Sequence, residues 1–245
     1  YQGYRSIVEH LDFIGSMEKN YTLFSSVIEN EAITVTAVGG PISTKKMPIP
    51  VTKVSRDQLM NIASTNIIDA LSRQPGVSQI TTGPAISKPV IRGLGYNRLV
   101  VINDGIRQEG QQWGDEHGIE IDDNSVSRVE IVKGPASLIY GSDAMAGVIN
   151  IITTSPAPEG TIRGNLMTSY GTNNSQRSFF GNIGGHQKGM NWGLWGDYKA
   201  ASDYTNKYDQ RVWNSKFNEM NFGGSAGYSG SWGYSNLMFS QFNQK

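Results

Sequence analysis

Apolar and polar positions alternate along the last third of the chain, from residue 160 to residue 245. In residues 161–170 one face carries Ile162, Leu166 and Tyr170, while Arg163 and Asn165 lie on the other. Residues 190–200 and 221–228 repeat the pattern, and turn-rich stretches separate the segments. This two-residue period predicts about five antiparallel strands of the length that crosses a membrane in a β-barrel.

The middle of the chain, residues 51–158, mixes helical and strand patterns. Ser55 and Asn66 each precede a short helical pattern, and Pro75-Gly76 ends the second one. Asp104-Gly105 between apolar runs indicates a hairpin. Strands are expected at residues 89–92, 99–103, 127–132 and 147–153. These elements predict a small α+β domain.

Glycine is concentrated in GPASLIYGSDAMAG, the stretch that separates the last two predicted strands. A phosphate-binding loop would need a Gly-Lys-Ser/Thr sequence, which is absent after Gly134, and Gly93-Leu-Gly95 is followed by Arg98 where a dinucleotide motif has a third glycine. The glycines are therefore better explained as tight turns, and a nucleotide site is not expected.

Composition narrows the class of protein further. The 245 residues carry 21 Lys+Arg and 21 Asp+Glu, so no basic surface indicates nucleic acid, and the absence of cysteine excludes disulfides and thiolate metal sites. The three histidines lie in different parts of the chain and suggest no nucleophile–base pair. No enzyme activity and no cofactor are predicted. Since the chain opens at Tyr1 and stops directly after a strand pattern, we expect it to be part of a longer protein.

Three motifs in the middle region resemble the plug domain of TonB-dependent outer-membrane receptors. They are ALSRQPGVSQI, KPVIRGLGYNRLVVINDGIRQ and SRVEIVKGPASLIYGSDAMAGVINIIT, in the order and spacing of that family. The resemblance implies a plug at residues 51–158, followed at residues 160–245 by the first antiparallel transmembrane strands, about five of the about 22 that such plugged barrels contain. Residues 1–30 resemble the end of the carboxypeptidase-regulatory-like β-sandwich that precedes many Bacteroidetes-type receptors. The implied location is the outer membrane of a Gram-negative cell, with the plug facing the periplasm.

The segment EAITVTA at the start of the predicted linker, residues 31–50, looks like the family's TonB box. It consists of Glu31, Ala32, Ile33, Thr34, Val35, Thr36 and Ala37. An exposed β-branched segment can add as a strand to the edge of a partner's sheet. The resemblance implies that this partner is the C-terminal domain of TonB, with its inner-membrane energising complex. The residues alone fit equally well an ordinary strand that closes the upstream sandwich.

Charged residues on the predicted plug strands form a second set of candidates: Arg92, Arg128, Glu130 and Lys133. Charges buried inside a barrel need partners. In the family such residues pair with the barrel wall and help to seat the plug, whereas on a soluble sheet they would be surface charges.

The acidic loop EGQQWGDEHGIEIDD, residues 109–123, is the most distinctive chemistry of the sequence. Candidate contacts with a transported cargo are Gln111, Gln112, Trp113, Asp115, Glu116 and His117. Imidazole together with carboxylates suits zinc, copper or nickel, so Asp115, Glu116 and His117 are candidate metal ligands. The alternatives are a loop held by its own acids, or aromatic and amide contacts with a chelate or a sugar.

The resemblance implies energy-coupled uptake of a scarce nutrient such as a metal ion, a metal chelate or a siderophore. A soluble carbohydrate-binding or adhesion β-protein is the alternative from another class. A passive porin is disfavoured, because a filled lumen would obstruct diffusion. The expected partners are TonB, outer-membrane lipid and the cargo.

Overall fold

The structure is a computed structural model in which the chain divides into two units, residues 1–48 and residues 49–245. In the second unit it describes residues 51–62, 64–134, 137, 140–153, 157–208, 210–230 and 232–245. In the first unit it describes the backbone of β1 (Thr34–Val35) and β2 (Ile42–Ser43), which pair antiparallel. The predicted end of a β-sandwich at residues 1–30 lies outside the described residues.

The plug region, residues 51–158, contains two short helices and eight strands in its described part. In chain order they are β3 (Val51–Ser55), α1 (Arg56–Met60), α2 (Ile67–Leu71), β4 (Val77–Gly83), β5 (Ile86–Ile91), β6 (Leu94–Gly95), β7 (Leu99–Asn103), β8 (Ile106–Gln108), β9 (Arg128–Lys133) and β10 (Gly147–Ile152).

Side-chain caps fix the start of both helices, as the sequence predicts. Ser55 Oγ accepts a bond from the Gln58 amide at 3.3 Å, and Gln58 Oε1 accepts one from the Ser55 amide at 2.9 Å. Asn66 Oδ1 accepts from the amides of Ile68 and Asp69, each at 3.0 Å. These bonds satisfy donors that a helix N-terminus leaves free.

The larger sheet of the plug region has the strand order β3-β9-β10-β7-β8. The β10–β7 pair is parallel and the other pairs are antiparallel. Strands buried on both faces have nearly continuous apolar runs, and LVVIN, RVEIVK and GVINII show such runs. A second, antiparallel sheet has the order β4-β5-β6. The four predicted strands correspond to β5, β7, β9 and β10 and are confirmed within a few residues, whereas β3, β4, β6 and β8 were not among them.

Apolar side chains from both helices and from both sheets of the plug region form one core. Its fully buried members include Val54, Leu71, Ile91, Leu99, Val101, Val129, Ile131, Ile149 and Ile151. The β7–β8 turn closes with Asp104 at φ 47° and Gly105 at φ 87°, which confirms the predicted hairpin.

The glycines of the stretch between β9 and β10 do serve as turns. Gly134, Gly141 and Gly147 have φ of 89°, 103° and 152°. At Gly147 a Cβ atom would lie 2.6 Å from the Val132 carbonyl oxygen, so no side chain fits there.

Five long strands form a separate antiparallel sheet after residue 160, here called the strand sheet. They are β11 (Thr161–Gly171), β12 (Gln176–Gln187), β13 (Met190–Ala201), β16 (Phe217–Gly230) and β17 (Gly233–Gln241), in the order β11-β12-β13-β16-β17. A two-residue pair, β14 (Thr205–Asn206) with β15 (Gln210–Arg211), lies in the β13–β16 connection. The five predicted strands are confirmed. Among the described residues, no helix is long and apolar enough to cross a membrane.

The two faces of the strand sheet differ as the alternation predicts. The outer face exposes large apolar side chains, among them Ile162, Leu166, Phe179, Ile183, Leu194, Phe222 and Phe239. The inner face lies against the plug region and buries Phe180, Asp197, Lys199 and Glu219. Phe180 departs from the polar inner pattern because Arg56 of α1 covers its ring, 5.2 Å from the centroid.

Candidate functional site

A buried polar contact joins the plug region to the strand sheet, and we call it the seat. It consists of the turn residues Asp122, Asp123 and Asn124 and of the strand residues Ser178, Asp197, Lys199 and Glu219. Each of these side chains is mostly or fully buried. The turn begins with Asp122 Oδ1, which accepts a bond from the Asn124 amide at 3.1 Å.

Cross-strand register brings the strand residues of the seat together. Ser178 on β12 lies opposite Lys199 on β13, and Lys199 lies opposite Glu219 on β16. Two residues further along β12 and β13, on the same face of the sheet, Phe180 lies opposite Asp197. Residues opposite one another on one face of a sheet have close Cβ atoms. Residues from three strands therefore form one polar cluster that faces the plug.

The bonds across the seat are short and specific. Lys199 Nζ lies 2.7 Å from Asp123 Oδ1 and 3.6 Å from Glu219 Oε2. Asn124 Nδ2 donates to Asp197 Oδ1 at 2.9 Å and to Ser178 Oγ at 3.3 Å. Removing one partner of a buried ion pair leaves an uncompensated charge, so these contacts fix the plug at this position.

The charged plug groups around the seat are strongly affected by burial. Burial, followed by repulsion from Asp197 and Asp123, raises the pKa of Asp122 well above its ordinary value. Burial also lowers the pKa of Arg56, although Asp122 opposes the shift. Arg56 Nη1 donates to the carbonyl oxygens of Asn124 at 2.7 Å and Val126 at 2.9 Å, and this holds the turn against α1.

The four residues predicted to seat the plug have described contacts within the plug region itself. Glu130 is fully buried, and its carboxylate is bonded by Arg128 Nε at 3.1 Å and by Asn150 Nδ2 at 3.2 Å. Lys133 Nζ donates to the Pro75 carbonyl oxygen, and burial followed by repulsion from Arg92 lowers its pKa. Arg92 is exposed. Their pairing with a barrel wall stays a prediction.

The two ends of the strand sheet have connections of different length. A two-residue turn at residues 188–189 and a short one at residues 231–232 close one end, whereas residues 172–175 and 202–216 connect strands at the other. Outer-membrane barrels have short periplasmic turns and longer extracellular loops. The second end is therefore the one that corresponds to the cell exterior.

A cavity of about 860 Å³ lies between the plug region and the strand sheet, toward the end with the long connections. Its lining includes Thr82 from the plug and Asn174 and Tyr204 from the connections. Thr82 Oγ1 also donates to the carbonyl oxygen of Asp115 at 3.0 Å. The apex loop, residues 109–121, thus lies at the same end, and its contact with cargo stays a prediction.

A buried lysine supports the apex loop from below. Lys88 on β5 is 2% exposed; its Nζ donates to the carbonyl oxygens of Trp113, at 3.1 Å, and Gly114. The same ammonium lies 4.8 Å from the centroid of the Tyr96 ring. Sequence reasoning missed this residue, because nothing in KPVIRG marks its lysine as buried.

The structure separates the predicted cargo contacts into buried and exposed groups. Gln111 is 1% exposed and donates to the Tyr96 and Leu99 carbonyl oxygens at 3.4 Å, so it supports the loop instead of facing solvent. Gln112 is half-buried. Trp113 is 68% exposed, and Asp115, Glu116 and His117 are exposed as well.

The predicted metal ligands are not assembled into a binding site. His117 Nε2 lies 3.9 Å from Glu116 Oε1, and His117 Nδ1 lies 3.7 Å from Glu120 Oε1. Within the described ranges, no group of three or more His, Cys, Asp or Glu residues is placed to hold a metal ion. The geometry gives the metal hypothesis no support, and it stays a prediction.

Bonds to the Asp203 carboxylate hold together the β13–β16 connection at the same end. Asp203 accepts bonds from the amides of Ser215 and Lys216, both at 2.9 Å, and from Arg211 Nε at 3.0 Å. Burial opposes ionisation of Asp203, but the bonds from Arg211 and the two amides outweigh it and lower its pKa. Arg211 also covers the exposed Trp213 ring, 4.2 Å from its centroid. The connection therefore presents an aromatic and a cation to the exterior.

Part of the predicted TonB box is described through its backbone alone. Thr34 pairs with Ser43 and Val35 pairs with Ile42 in the β1–β2 ladder. Glu31, Ala32, Ile33, Thr36 and Ala37 lie outside the described residues.

Comparisons with known proteins identify the plug. Residues 43–148 match the family model of the TonB-dependent receptor plug domain. The chain is 36% identical over 131 residues to an iron-regulated outer membrane virulence protein of Vibrio cholerae, and 31% identical over 146 residues to a vitamin B12 transporter of Vibrio vulnificus. Those alignments cover 51% and 58% of this chain but only 20% and 24% of the relatives. The chain thus carries a TonB-dependent receptor plug domain and spans about a quarter or less of these relatives.

Comparison of structures supports the fold across both regions. The hemophore receptor of Serratia marcescens, solved with its hemophore and heme, has a TM-score of 0.72 at 22% identity and matches 81% of this chain and 32% of that one. The fold is a plug followed by a few strands of an outer-membrane barrel. The family match and the named relatives locate the protein in the outer membrane. One of these relatives is named as a transporter, and the structural neighbour is named as a receptor. The Bacteroidetes-type origin and the preceding carboxypeptidase-regulatory-like domain remain predictions.

Proposed function

We propose that the chain is part of a TonB-dependent receptor that takes up a scarce nutrient across the outer membrane by energy-coupled transport. The observation that carries this proposal is the seat, in which a plug domain is bonded through Asp123 and Asn124 to the inner face of membrane strands. A lumen filled in this way obstructs free diffusion. Transport then requires work on the plug.

The segment that would receive this work is the TonB box, residues 31–37. Its described part is held to β2 by only two residue pairs, Thr34 with Ser43 and Val35 with Ile42. Exchange of so short a ladder for a longer one on a partner's sheet edge would gain main-chain hydrogen bonds. The TonB C-terminal domain, energised from the inner membrane, would in this way pull on the plug.

The candidate cargo surface is formed by the apex loop and the β13–β16 connection. Trp113 and Trp213 are exposed aromatics, Arg211 provides a cation, and Asp115, Glu116 and His117 add polar groups. Aromatic and polar groups that converge at a pocket mouth suit a chelate with a planar or hydrogen-bonding surface. The relatives are named for iron regulation, vitamin B12 and heme, and a metal chelate is the cargo class that we propose.

Site-directed crosslinking tests the coupling step without knowledge of the cargo. These 245 residues contain no cysteine, so Thr34→Cys provides a single thiol once any cysteine elsewhere in the full-length receptor is replaced by serine. We expect it to crosslink to a cysteine on the edge strand of the TonB C-terminal domain, when both full-length proteins are mixed in detergent. Ser43→Cys, on the opposite strand of the same ladder, is the matched control and should crosslink far less.

Proline at position 35 provides the second arm of the test. Val35→Pro removes a backbone donor from the segment, so crosslinking through Thr34→Cys should be lost. Equal crosslinking from positions 34 and 43, or persistence in the proline variant, would rule out strand capture by this segment.

A further inference from the structure

The seat contains more negative than positive groups. Its carboxylates are Asp122, Asp123, Asp197 and Glu219, all on elements that meet between plug and strands. Two cations face them, Lys199 from β13 and Arg56 from α1. The remaining charged neighbour in the described residues, Asp57, is exposed on α1. If every carboxylate were ionised, the seat would carry two uncompensated negative charges.

The hydrogen bonds do not compensate for this surplus. The two bonds from Arg56 Nη1 go to backbone carbonyl oxygens, and the ion pairs of Lys199 are with Asp123, at 2.7 Å, and Glu219, at 3.6 Å. In the described structure, Asp122 Oδ2 and Asp197 Oδ2 are buried without a hydrogen-bond partner. A buried carboxylate oxygen with no donor is the place where a proton is most stable.

We propose that Asp122 and Asp197 act as positioning residues that bind protons when the plug is seated and release them when it leaves the strand sheet. The proposal rests on the proposed function for the movement of the plug. In the seated state protons remove the surplus charge. Once the turn at residues 122–124 separates from the strands, water enters and the carboxylates ionise. Repulsion among the ionised groups then opposes reseating, so protons regulate the transport step.

The direction of the pH dependence follows from proton uptake. The seated plug binds more protons than the released plug, so the free energy of release falls as pH rises. For Asp122 the raised pKa means that the stabilisation is complete below its ordinary pKa, about 3.9, and is lost as pH rises through the seated value. A difference of one proton over one pH unit changes the release equilibrium about tenfold.

The test measures release of the plug by urea in the full-length receptor reconstituted in liposomes. A nitroxide on Thr82→Cys, at the exposed end of β4, reports the mobility of the plug; these 245 residues contain no cysteine, and any cysteine elsewhere in the receptor is first replaced by serine. We expect the release equilibrium to increase at least about tenfold between about pH 5 and about pH 8. In the Asp122→Asn/Asp197→Asn variant, which removes both carboxylates that have an unpartnered buried oxygen, this pH dependence should shrink to less than half on a logarithmic scale.

The matched control is Glu120→Gln, which removes an exposed carboxylate of the apex loop. It should retain the pH dependence of the native protein. A flat pH profile in the native protein would overturn the proposal, and so would an unchanged profile in the double variant. Because neither TonB nor cargo is present, a negative result here leaves the crosslinking test of transport coupling unaffected, and the reverse also holds. If the double variant fails to assemble, the single variant Asp197→Asn and the native profile decide the question.

Discussion

The plug core and the strand sheet distribute the same kinds of residue in opposite ways. In the plug, Ile131, Ile149 and Leu99 are fully buried at the centre. In the strand sheet, Ile162 is 72% exposed and Leu166 is 83% exposed, whereas Lys199 and Glu219 are 3% exposed. The plug therefore buries its apolar residues in a core of its own, whereas the strand sheet exposes them on its outer face.

The difference decides how the two regions can be held together. An apolar interface would exclude water and lipid and would hold the plug tightly, but it would contain no group whose protonation could weaken the contact. With charged and amide groups in the seat, the stability of the contact between plug and strand sheet depends on how these groups are paired and protonated. A plug that must be seated and also displaced benefits from such an interface.

We expect the largest effect on the stability of the seated plug from replacing Lys199, the lysine of the seat. Lys199→Met should destabilise the seated plug by about 3–5 kcal/mol, because it leaves buried carboxylates without their cation. Urea release of the plug in the full-length receptor measures it. Lys207→Met, an exposed lysine of the β13–β16 connection, should change little. Equal stability of the two variants would mean that the seat contributes nothing.

Next comes the apolar core of the plug. Ile149→Ala removes a fully buried side chain of β10 and should cost about 2–5 kcal/mol of unfolding free energy. Ile162→Ala makes the same change on the exposed outer face and should cost less than about 0.5 kcal/mol in detergent. Denaturation monitored by one probe in the plug and one in the strand sheet would measure the two costs separately. Similar costs at both positions would contradict the contrast between core and outer face.

A charge on the lipid-facing side should have a comparable but smaller effect. Leu166→Lys places an ammonium on the outer face of β11, and we expect a loss of about 2–4 kcal/mol if the position lies near the bilayer midplane. Folding of the full-length receptor into liposomes measures this loss. Ser169→Lys, on the inner face of the same strand beside the cavity, is the control and should be tolerated. The reverse order would mean that the faces are assigned the wrong way round.

The smallest effect concerns a helix cap in the plug. Asn66→Ala removes the two bonds that Asn66 Oδ1 accepts from α2 amides. It also removes the bonds that Asn66 Nδ2 donates to Ser87 Oγ and to the Pro84 carbonyl oxygen, each at 3.0 Å, so it should cost about 1 kcal/mol. The exposed Asn97 offers a control, since Asn97→Ala removes no cap. Chemical denaturation of the full-length protein would show the difference. A cost as large as that of Ile149→Ala would indicate a role beyond capping.

Much of the fold follows from local signals in the sequence. Ser55 and Asn66 mark the helix starts, Asp104-Gly105 marks a hairpin, and two-residue alternation marks the long strands. The strands β4 and β6 were missed, since VSQITTG has no clear alternation, β6 has only two residues, and both strands are stabilised by pairing with β5. Phe180 interrupted the pattern for a reason outside its own strand, namely its contact with Arg56.

The candidate site divides in the same way. Periodicity, caps and turns depend on near neighbours, so the sequence predicted a small α+β domain, strands with an apolar outer face and an acidic loop. The resemblance to the receptor family implied that this domain is a plug with the loop at its apex. Only the tertiary structure showed that Asp122, Asp123 and Asn124 meet Lys199, Asp197 and Glu219, which are separated by more than fifty positions in the chain. Only it placed Lys88 beneath the apex loop and Glu130 inside the plug. Burial and charge pairing depend on which distant surfaces meet, and local sequence does not carry that information.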